Sequence, residues 1–388
     1  MKIAINAAAA KMGGAVNYLT NFLRHLPPSA SGDQNFVFLP AETSNRLIDI
    51  PPNIRLCPHP GENVGGWRRI WWEQVKLRRF LVKEKVDVLF STANFGMYRC
   101  PVKQILLVRN TLYFSKPYQQ LFLPRHSLKK RIAFRLRRWL ICLSVRSADI
   151  VMTPTQAMLD ELRDFVDVPS HKALVNPYGV ESASPSPGAP PVQSETGRSD
   201  PGHLCKLLYV SLYAEHKNLN TLLKAIPLLN ENGAGKFLLQ TTADPTWEGA
   251  AWTVTHQEDI DLTKEPGISP WVRLLRPLPR ERMEQLYLDS DIFVFPSLTE
   301  SFGFPMAEAM SYGLPIVAAD TPVNREICGE AAVYFRPLDP ADLARQVRRV
   351  ATDQAVRQPL QIEGRRRAAT MCRWDEHVRR VLAAASVP

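Results

Sequence analysis

Apolar residues come along this chain in short β-rich runs, each followed by a stretch in which they recur every three to four positions. In the first half the runs are KIAIN (2–6), NFVFLP (35–40), VDVLFST (86–92), QILLVRN (104–110), DIVMTP (149–154) and KALVNPY (172–178). Between them GAVNYLTNFLRHL, RRIWWEQVKLRRFLVKE and TQAMLDELRDF carry helical periodicity. The second half repeats the rhythm with KLLYVSL (206–212), KFLLQTT (236–242), WVRLLRPL (271–278), DIFVFPS (291–297), PIVAAD (315–320) and AVYFRPL (332–338). Helices are predicted to start near Lys217, Arg280, Pro305 and Pro340. Strands apolar on both faces and separated by helices predict parallel sheets covered on both sides. Two such blocks predict an α/β protein of two doubly wound, Rossmann-like domains facing across a cleft. Ligands are then expected outside the carboxyl ends of the strands, in that cleft.

The first domain is placed at 1–180 and the second at 204–370. Between them 181–203, ESASPSPGAPPVQSETGRSDPGH, is rich in Pro, Ser and Gly and has no apolar periodicity, so it reads as a linker. The segment 371–388, MCRWDEHVRRVLAAASVP, follows a second block that is already complete. It is predicted to be a helix that returns to the first domain. A length of 388 residues suits two cores better than one.

Composition narrows the class. An apolar fraction of 45% with 22% charged residues belongs to a globular chain, not a disordered or fibrous one. The 48 Lys+Arg against 38 Asp+Glu give a net charge of +10, which favours an anionic partner: a nucleotide, a nucleic acid or an acidic membrane surface. Six cysteines are scattered without a CxxC pair and no HExxH occurs. Buried free thiols in a reducing compartment are expected, with neither a disulfide framework nor a zinc site. In MKIAINAAAAKMGGA, Asn6 breaks the apolar stretch and Lys11 ends it, so a signal peptide is rejected. No apolar run of about eighteen residues occurs, so no membrane span is expected. The predicted location is cytoplasmic, with room for peripheral contact on the inner face of a membrane.

The densest chemistry lies in SLTESFGFPMAEAMSYGLPIVAAD (297–320), which holds Glu300 and Glu308. A strand ends before it, and Pro305 suits the first position of a helix. Amides at that helix start, helped by Gly303, can hold a phosphate. Glu308 is expected in the first turn and Glu300 in the loop. Each acid alone has an ordinary reading. A first-turn glutamate gains about 0.3–1 kcal/mol from the helix dipole, and a loop glutamate is solvated. The combination of strand end, Glu-x7-Glu and small-residue helix is more specific.

ESFGFPMAEAMSYGLPIVAAD resembles the signature of glycosyltransferase family 4, the retaining group 1 enzymes with the GT-B fold. LLYVSLYAEHKNLNTLLKAI (207–226) resembles the family's first strand and donor loop in the second domain, NPYGVE (176–181) the segment leading out of the first, and RWDEHVRRVL (373–382) the C-terminal helix. The resemblance implies transfer of a hexose from a nucleotide diphosphate sugar to a glycan or lipid-linked glycan acceptor, as in cell-surface polysaccharide or lipopolysaccharide synthesis. It implies that the first domain binds acceptor and the second the nucleotide sugar. Glu300 would contact the sugar hydroxyls, Glu308 the ribose hydroxyls and Lys217 the diphosphate. Amides of Ser301, Phe302 and Gly303 would orient sugar or phosphate. A fixed cation and helix-terminal amides stabilise the charge that develops on the leaving diphosphate, so no metal or other cofactor is expected. A carboxylate on vicinal hydroxyls aligns the ring. Closing of the two domains would assemble the site.

Two departures mark this chain. Where relatives often carry Gly-Arg before the lysine, it has Ser211 and Leu212; Ser211 is kept as a donor contact. Where many carry His-Asp, it has Arg109 and Asn110. Arg109 reads either as a catalytic cation near phosphate or acceptor or as half of a structural ion pair. Asn94, at another strand end, reads as an acceptor contact or a turn asparagine, and Asn110 joins the acceptor side. In AKMGGAVNYLTNFL, Gly13 and Gly14 open a helix. The family's glycine loop approaches diphosphate and acceptor, which gives Gly14 to the donor and Gly13 to the acceptor. GG is not GxGxxG, which argues against a dinucleotide oxidoreductase.

Residues 125–148, RHSLKKRIAFRLRRWLICLSVRSA, contain no acid. Leu128, Ile132, Leu136, Trp139, Leu140 and Leu143 form a stripe at helical spacing, expected to pack inward with a solvated basic face outside. With Arg68, Arg69, Arg78 and Arg79 that basic face suits anionic lipid head groups. Nucleic acid is set behind it, because no recognised binding motif occurs. The rival functions are another GT-B nucleotide-sugar enzyme, an epimerase or phosphorylase-like, and, more distantly, a non-catalytic basic scaffold that binds membrane or nucleic acid.

Overall fold

In a computed structural model of the chain, the residues described are 1–10, 14–27, 34–45, 47, 50–59, 66–180, 204–231, 236–250, 253–276 and 278–386. Gly13 and the proposed linker, 181–203, lie outside them. The chain divides into two compact units. The first comprises Met1–Phe114, Lys129–Gly179 and Cys372–Pro388; the second comprises Ser115–Leu128 and Val180–Met371.

The first unit is built on seven parallel strands in the order β3-β2-β1-β4-β5-β6-β7. They are β1 (Ile3–Asn6), β2 (Asn35–Pro40), β3 (Ile54–His59), β4 (Val88–Ser91), β5 (Lys103–Leu107), β6 (Ile150–Thr153) and β7 (Ala173–Val175). β1 lies inside the sheet with every residue buried, Ile5 pairing with Val37 on one side and Phe90 on the other. The sheet grows outward from β1 through β2 to β3, then returns to the other side of β1 with β4. That reversal is the topological switch point of a doubly wound sheet. The hydrophobic pattern missed β3. It is an edge strand with Arg55 and Pro58 exposed, so it lacks the continuous apolar run of the inner strands.

The second unit carries six parallel strands in the order β10-β9-β8-β11-β12-β13. They are β8 (Leu204–Tyr209), β9 (Lys236–Thr241), β10 (Val272–Leu274), β11 (Ile292–Phe295), β12 (Ile316–Ala319) and β13 (Ala332–Phe335). Here the order reverses between β8 and β11. Both inner pairs are Leu- and Phe-rich, and Leu207, Leu208, Ile292 and Phe293 are fully buried.

Two segments belong to the unit other than the one their neighbours in sequence join. Within the predicted 1–180 block, Ser115–Leu128 belongs to the second unit. There Tyr118 Oη donates to Glu215 Oε1 at 2.8 Å, and His126 Nε2 meets the same oxygen at 2.8 Å. Glu215 Oε2 accepts the Val254 amide at 2.9 Å. A buried carboxylate with three partners fixes that segment. The Trp374–Ser386 helix belongs to the first unit. His377, fully buried, shares a 2.9 Å hydrogen bond between its Nε2 and Tyr18 Oη, and its Nδ1 lies 2.8 Å from the Pro177 carbonyl. Its own carbonyl accepts from Asn176 Nδ2 at 3.1 Å. A Cβ at Gly179 would lie 2.3 Å from the Trp374 amide nitrogen, so no larger residue fits there.

The basic helix corrects an expectation. It runs over Leu128–Ser147, but most of the stripe does not pack inward: Leu128 is 67% exposed, Ile132 56%, Leu136 38% and Trp139 56%, while Leu140 and Leu143 are half-buried. The helix instead buries Ile141, Cys142, Ser144 and Val145, which project from its opposite side. Arg69 is also not a plain surface charge, since its Nε donates to buried Glu73 Oε1 at 2.9 Å. Of the six cysteines, all free, only Cys142 and Cys328 are buried. Among the described residues no helix is long and apolar enough to cross a membrane.

Candidate active site

Each unit gathers polar groups at the carboxyl ends of the strands that flank its switch point. In the second unit these are the loops after β8 and β11. The chain leaving β8 makes a tight 3-10 turn over Glu215–Lys217, and Asn218 then takes a left-handed conformation at φ 56° before the Leu219–Asn230 helix. The helix predicted near Lys217 therefore starts two residues later. Asparagine tolerates that conformation better than most residues, and its side chain donates to the Pro296 carbonyl at 3.1 Å. The His216 carbonyl accepts the Leu298 amide at 2.9 Å, and Tyr209 Oη donates to the Lys217 carbonyl at 2.7 Å. These bonds lace the two loops together.

Lys217 and Glu300 meet as a result. Lys217 Nζ donates to Glu300 Oε1 at 2.5 Å, with side-chain exposures of 20% and 11%. An ammonium and a carboxylate both screened from bulk water interact more strongly than an exposed pair. Burial, then the Lys217 charge, holds His216 well below the usual histidine range, so it stays neutral beside the lysine. Burial, then the Glu300 charge, pushes Tyr209 well above the usual phenol range, which keeps its hydroxyl a donor.

Gly303 sits at φ 82° ahead of the Phe304–Ser311 helix, with Pro305 in its first turn. A Cβ there would come within 2.4 Å of Met306 Cε, so the turn requires glycine. Phe302 is buried with its ring at 5.1 Å from Phe304, which leaves its backbone, not its ring, for any ligand. Glu308 is the fifth residue of this helix and not in the first turn as predicted, because the helix begins at Phe304. Its Oε2 accepts from Tyr287 Oη at 2.7 Å. Burial, then the Glu308 charge, drives Tyr287 well above the usual phenol range, so it remains the donor of that bond. Ser211, after β8, is tied to the end of β9: its amide donates to Thr242 Oγ1 at 2.9 Å, and its hydroxyl donates to the Leu212 carbonyl at 3.0 Å.

In the first unit the groups surround a cavity of about 210 Å³ whose walls include Ala15, Arg69, Thr92, Asn94, Arg109 and Asn110. Asn94 is buried, and its Oδ1 accepts the amides of Arg109 and Asn110, both at 2.9 Å, while its Nδ2 donates to the Asn110 carbonyl at 3.1 Å. It is thus a clamp on the chain leaving β5. Asn110 Oδ1 caps the next turn by accepting from Leu112 N at 3.2 Å. The Arg109 guanidinium lies over the Tyr18 ring at 5.3 Å. The structural ion pair considered for it is not found among the described residues. Gly14 starts the Gly14–Arg24 helix, and a Cβ there meets nothing closer than Arg109 Nη2 at 3.8 Å.

Sequence reasoning missed Tyr209, Tyr287, Glu215 and Glu73. The tyrosines read as strand and helix core residues, and only their hydroxyl partners distinguish them. Glu215 stood in the quoted LYAEHKN segment, but its partners come from residues 118 and 126, remote in sequence. Among the described residues no cluster of three or more His, Cys, Asp or Glu side chains is placed to hold a metal ion.

Residues 12–184 match the profile described as Glycosyltransferase Family 4, and residues 205–353 the profile described as Glycosyl transferases group 1. The D-inositol 3-phosphate glycosyltransferase of Corynebacterium diphtheriae is 29% identical over 231 residues, 58% of this chain and 53% of that protein. The O-antigen chain mannosyltransferase B of Escherichia coli is 31% identical over 134 residues, 34% of this chain and 33% of that protein. The first of these matches spans about half of the relative's length and the second about a third. The structure of Anabaena HepE in complex with UDP and glucose superposes with a TM-score of 0.70 at 16% identity, covering 100% of this chain and 99% of that one. At that identity the likeness speaks for the fold alone.

Proposed function

The chain belongs to the family 4, group 1 glycosyltransferases of GT-B type, and from that premise we propose that its second unit takes a hexose from a nucleotide diphosphate donor. The carrying observation is the Lys217–Glu300 pair, held at the switch point of the second sheet by the laced loops. In this reading Lys217 and the amides at Ser301, Phe302 and Gly303 meet the diphosphate, Glu300 meets the sugar hydroxyls and Glu308 the ribose. The presence of UDP and glucose in the HepE complex supports a nucleotide hexose as donor. The names of the two relatives support a glycan or phosphorylated polyol as acceptor.

Transfer is retaining. The acceptor hydroxyl attacks the anomeric carbon on the face that the diphosphate leaves. The bond from that carbon to the diphosphate oxygen breaks as the new C–O bond forms, and the acceptor proton passes to the departing phosphate oxygen. Lys217 stabilises the charge as it develops. No metal ion is called for in this scheme.

A panel of UDP, GDP and ADP with their common sugars, read by thermal shift, identifies the donor, because a ligand of the folded state raises apparent stability. Glu308→Ala is expected to weaken the nucleotide that binds by about tenfold, the scale of a charge-assisted hydrogen bond. Unchanged affinity would remove the ribose role. A sugar-labelled donor that yields label only in free sugar or an isomerised nucleotide sugar, and none on an acceptor, would favour the epimerase or phosphorylase-like alternative.

A lipid-linked glycan is one acceptor that this reading admits, and the first unit offers a surface for work at an anionic membrane. The exposed row Leu128, Ile132, Leu136 and Trp139 lies between Lys129, Lys130, Arg131, Arg135, Arg137 and Arg138 with no acid on the helix. Apolar side chains flanked by cations suit the head-group boundary, at about 1 kcal/mol per basic residue near the surface. The double variant Ile132→Asp/Trp139→Asp is expected to reduce sedimentation with phosphatidylglycerol-containing vesicles by about tenfold. Equal recovery of variant and wild type would remove the surface from the account.

A further inference from the structure

We propose that the cavity of the first unit holds the acceptor by an anionic group, phosphate or carboxylate, seated on the Arg109 guanidinium. The proposal rests on the glycosyltransferase reading above and names the chemistry of the second substrate.

Among the described residues the cavity has two cations on its wall and no acid. They are not equivalent. Arg69 is compensated by Glu73, which is 2% exposed, stands outside the cavity wall and also accepts from Asn6 Nδ2 at 3.0 Å. No described residue gives the Arg109 guanidinium a hydrogen bond or an ion pair. Counted over the described residues, the cavity therefore carries one uncompensated positive charge.

That charge is held in place. Asn94 fixes the Arg109 backbone with two accepted amides, both at 2.9 Å. The guanidinium rests on Tyr18 at 5.3 Å, and the hydroxyl of that ring is tied to His377 Nε2 at 2.9 Å. The ring is thus a fixed plate, and a guanidinium over an aromatic face keeps its N–H groups directed along its edges. Arginine in this state is suited to bidentate capture of a phosphate or carboxylate. A neutral sugar would take up few of these donors and would leave the cation unpaired. About 210 Å³ is room for one such charged group and part of the ring that bears it. The charged side chains assigned to the donor, Lys217, Glu300 and Glu308, belong to the second unit, and Gly14, also given to the donor, offers this cavity only backbone; the anion is therefore assigned to the acceptor, with a donor phosphate as the rival occupant that the test separates.

The test compares glucose with glucose 6-phosphate and with glucuronate as probes of the full chain. It uses calorimetric titration in the presence of the nucleoside diphosphate that the panel selects. At least one charged sugar is expected to bind about ten times more tightly than glucose, and which one binds tells phosphate from carboxylate. Arg109→Gln is expected to abolish the difference and Arg109→Lys to retain part of it, with melting temperatures reporting that both variants fold. Equal binding of all three sugars by the wild type overturns the proposal, as does a preference that survives Arg109→Gln. A selectivity among nucleotide sugars that Arg109→Gln changes, with none among the free sugars, assigns the charge to the donor and also overturns it. Binding of a nucleoside diphosphate to the wild type is read separately: its absence fails the donor reading, whereas its presence without charge preference fails only the acceptor assignment.

Discussion

Lys217→Ala is expected to lower the transfer rate by about 10²–10³-fold, the scale on which removal of a preorganised charge at a developing anion is felt. The loop itself should survive the change. Its geometry rests on backbone groups: the Lys217 carbonyl on Tyr209 Oη at 2.7 Å, the His216 carbonyl on the Leu298 amide at 2.9 Å, and the Asn218 side chain on the Pro296 carbonyl. Only the ammonium is lost, and with it the 2.5 Å partner of a Glu300 side chain that is 11% exposed. A screened carboxylate left without its cation is destabilised. Lys217→Arg should restore part of the rate, because charge remains while its position shifts. The measurement is single-turnover transfer from a labelled donor, combined with Glu300→Gln in a double-mutant cycle. Two groups that act together should lose less in the double variant than the sum of the singles. A Lys217→Ala rate within threefold of wild type, or strict additivity with Glu300→Gln, would end the assigned role.

The second large effect is on stability and is set by pH. Burial pushes His377 from the ordinary 6.5 down to about 4; the Pro177 carbonyl opposes that shift and the Arg380 charge adds to it. Between those values the unfolded chain takes up a proton that the folded first unit refuses. Stability therefore rises with pH across that window. The contribution is complete above about 6.5 and is lost as pH falls toward 4, amounting to about 3 kcal/mol at full shift. His377→Gln removes the titrating group while keeping polar atoms near Tyr18 and Pro177. Urea melts followed through the first unit are expected to show a wild-type advantage at pH 7 that shrinks by about 2–3 kcal/mol at pH 4.5. A gap between the two proteins that is the same at both pH values would show that His377 does not carry the term.

Much of the architecture was legible in the sequence because inner strands of parallel sheets are apolar on both faces. Twelve predicted runs coincide with the cores of β1, β2 and β4 to β13, and only the mixed edge strand β3 escaped. Strand ends were set too long by a few residues, as at 271–278 against Val272–Leu274, because apolar residues continue past the last ladder bond. The acids and the lysine of the candidate site were legible for a different reason. The resemblance to the family picked them out: Glu300 and Lys217 lie on the loops after two strands, and Glu308 in the helix that follows one of them. Their partners were not. Tyr287 reaches Glu308 from 21 residues away, and Tyr118 reaches Glu215 from 97. Contacts between remote segments leave no periodic trace. The basic helix failed in the opposite direction: its stripe had the right period for burial, but period says which residues share a face and not which face the unit covers.

The connectivity of the units carries a consequence for biogenesis. The chain passes between them four times, and the first unit draws its closing helix from residues beyond Cys372. Tyr18, Tyr178 and Asn176 are translated long before Trp374 and His377, which cover and bind them. A nascent polypeptide synthesised as far as Met371 would therefore carry every residue of the second unit and a first unit with its aromatic seam still open. Vectorial synthesis supplies every residue of the later-encoded lobe before the earlier one receives the helix that covers its seam.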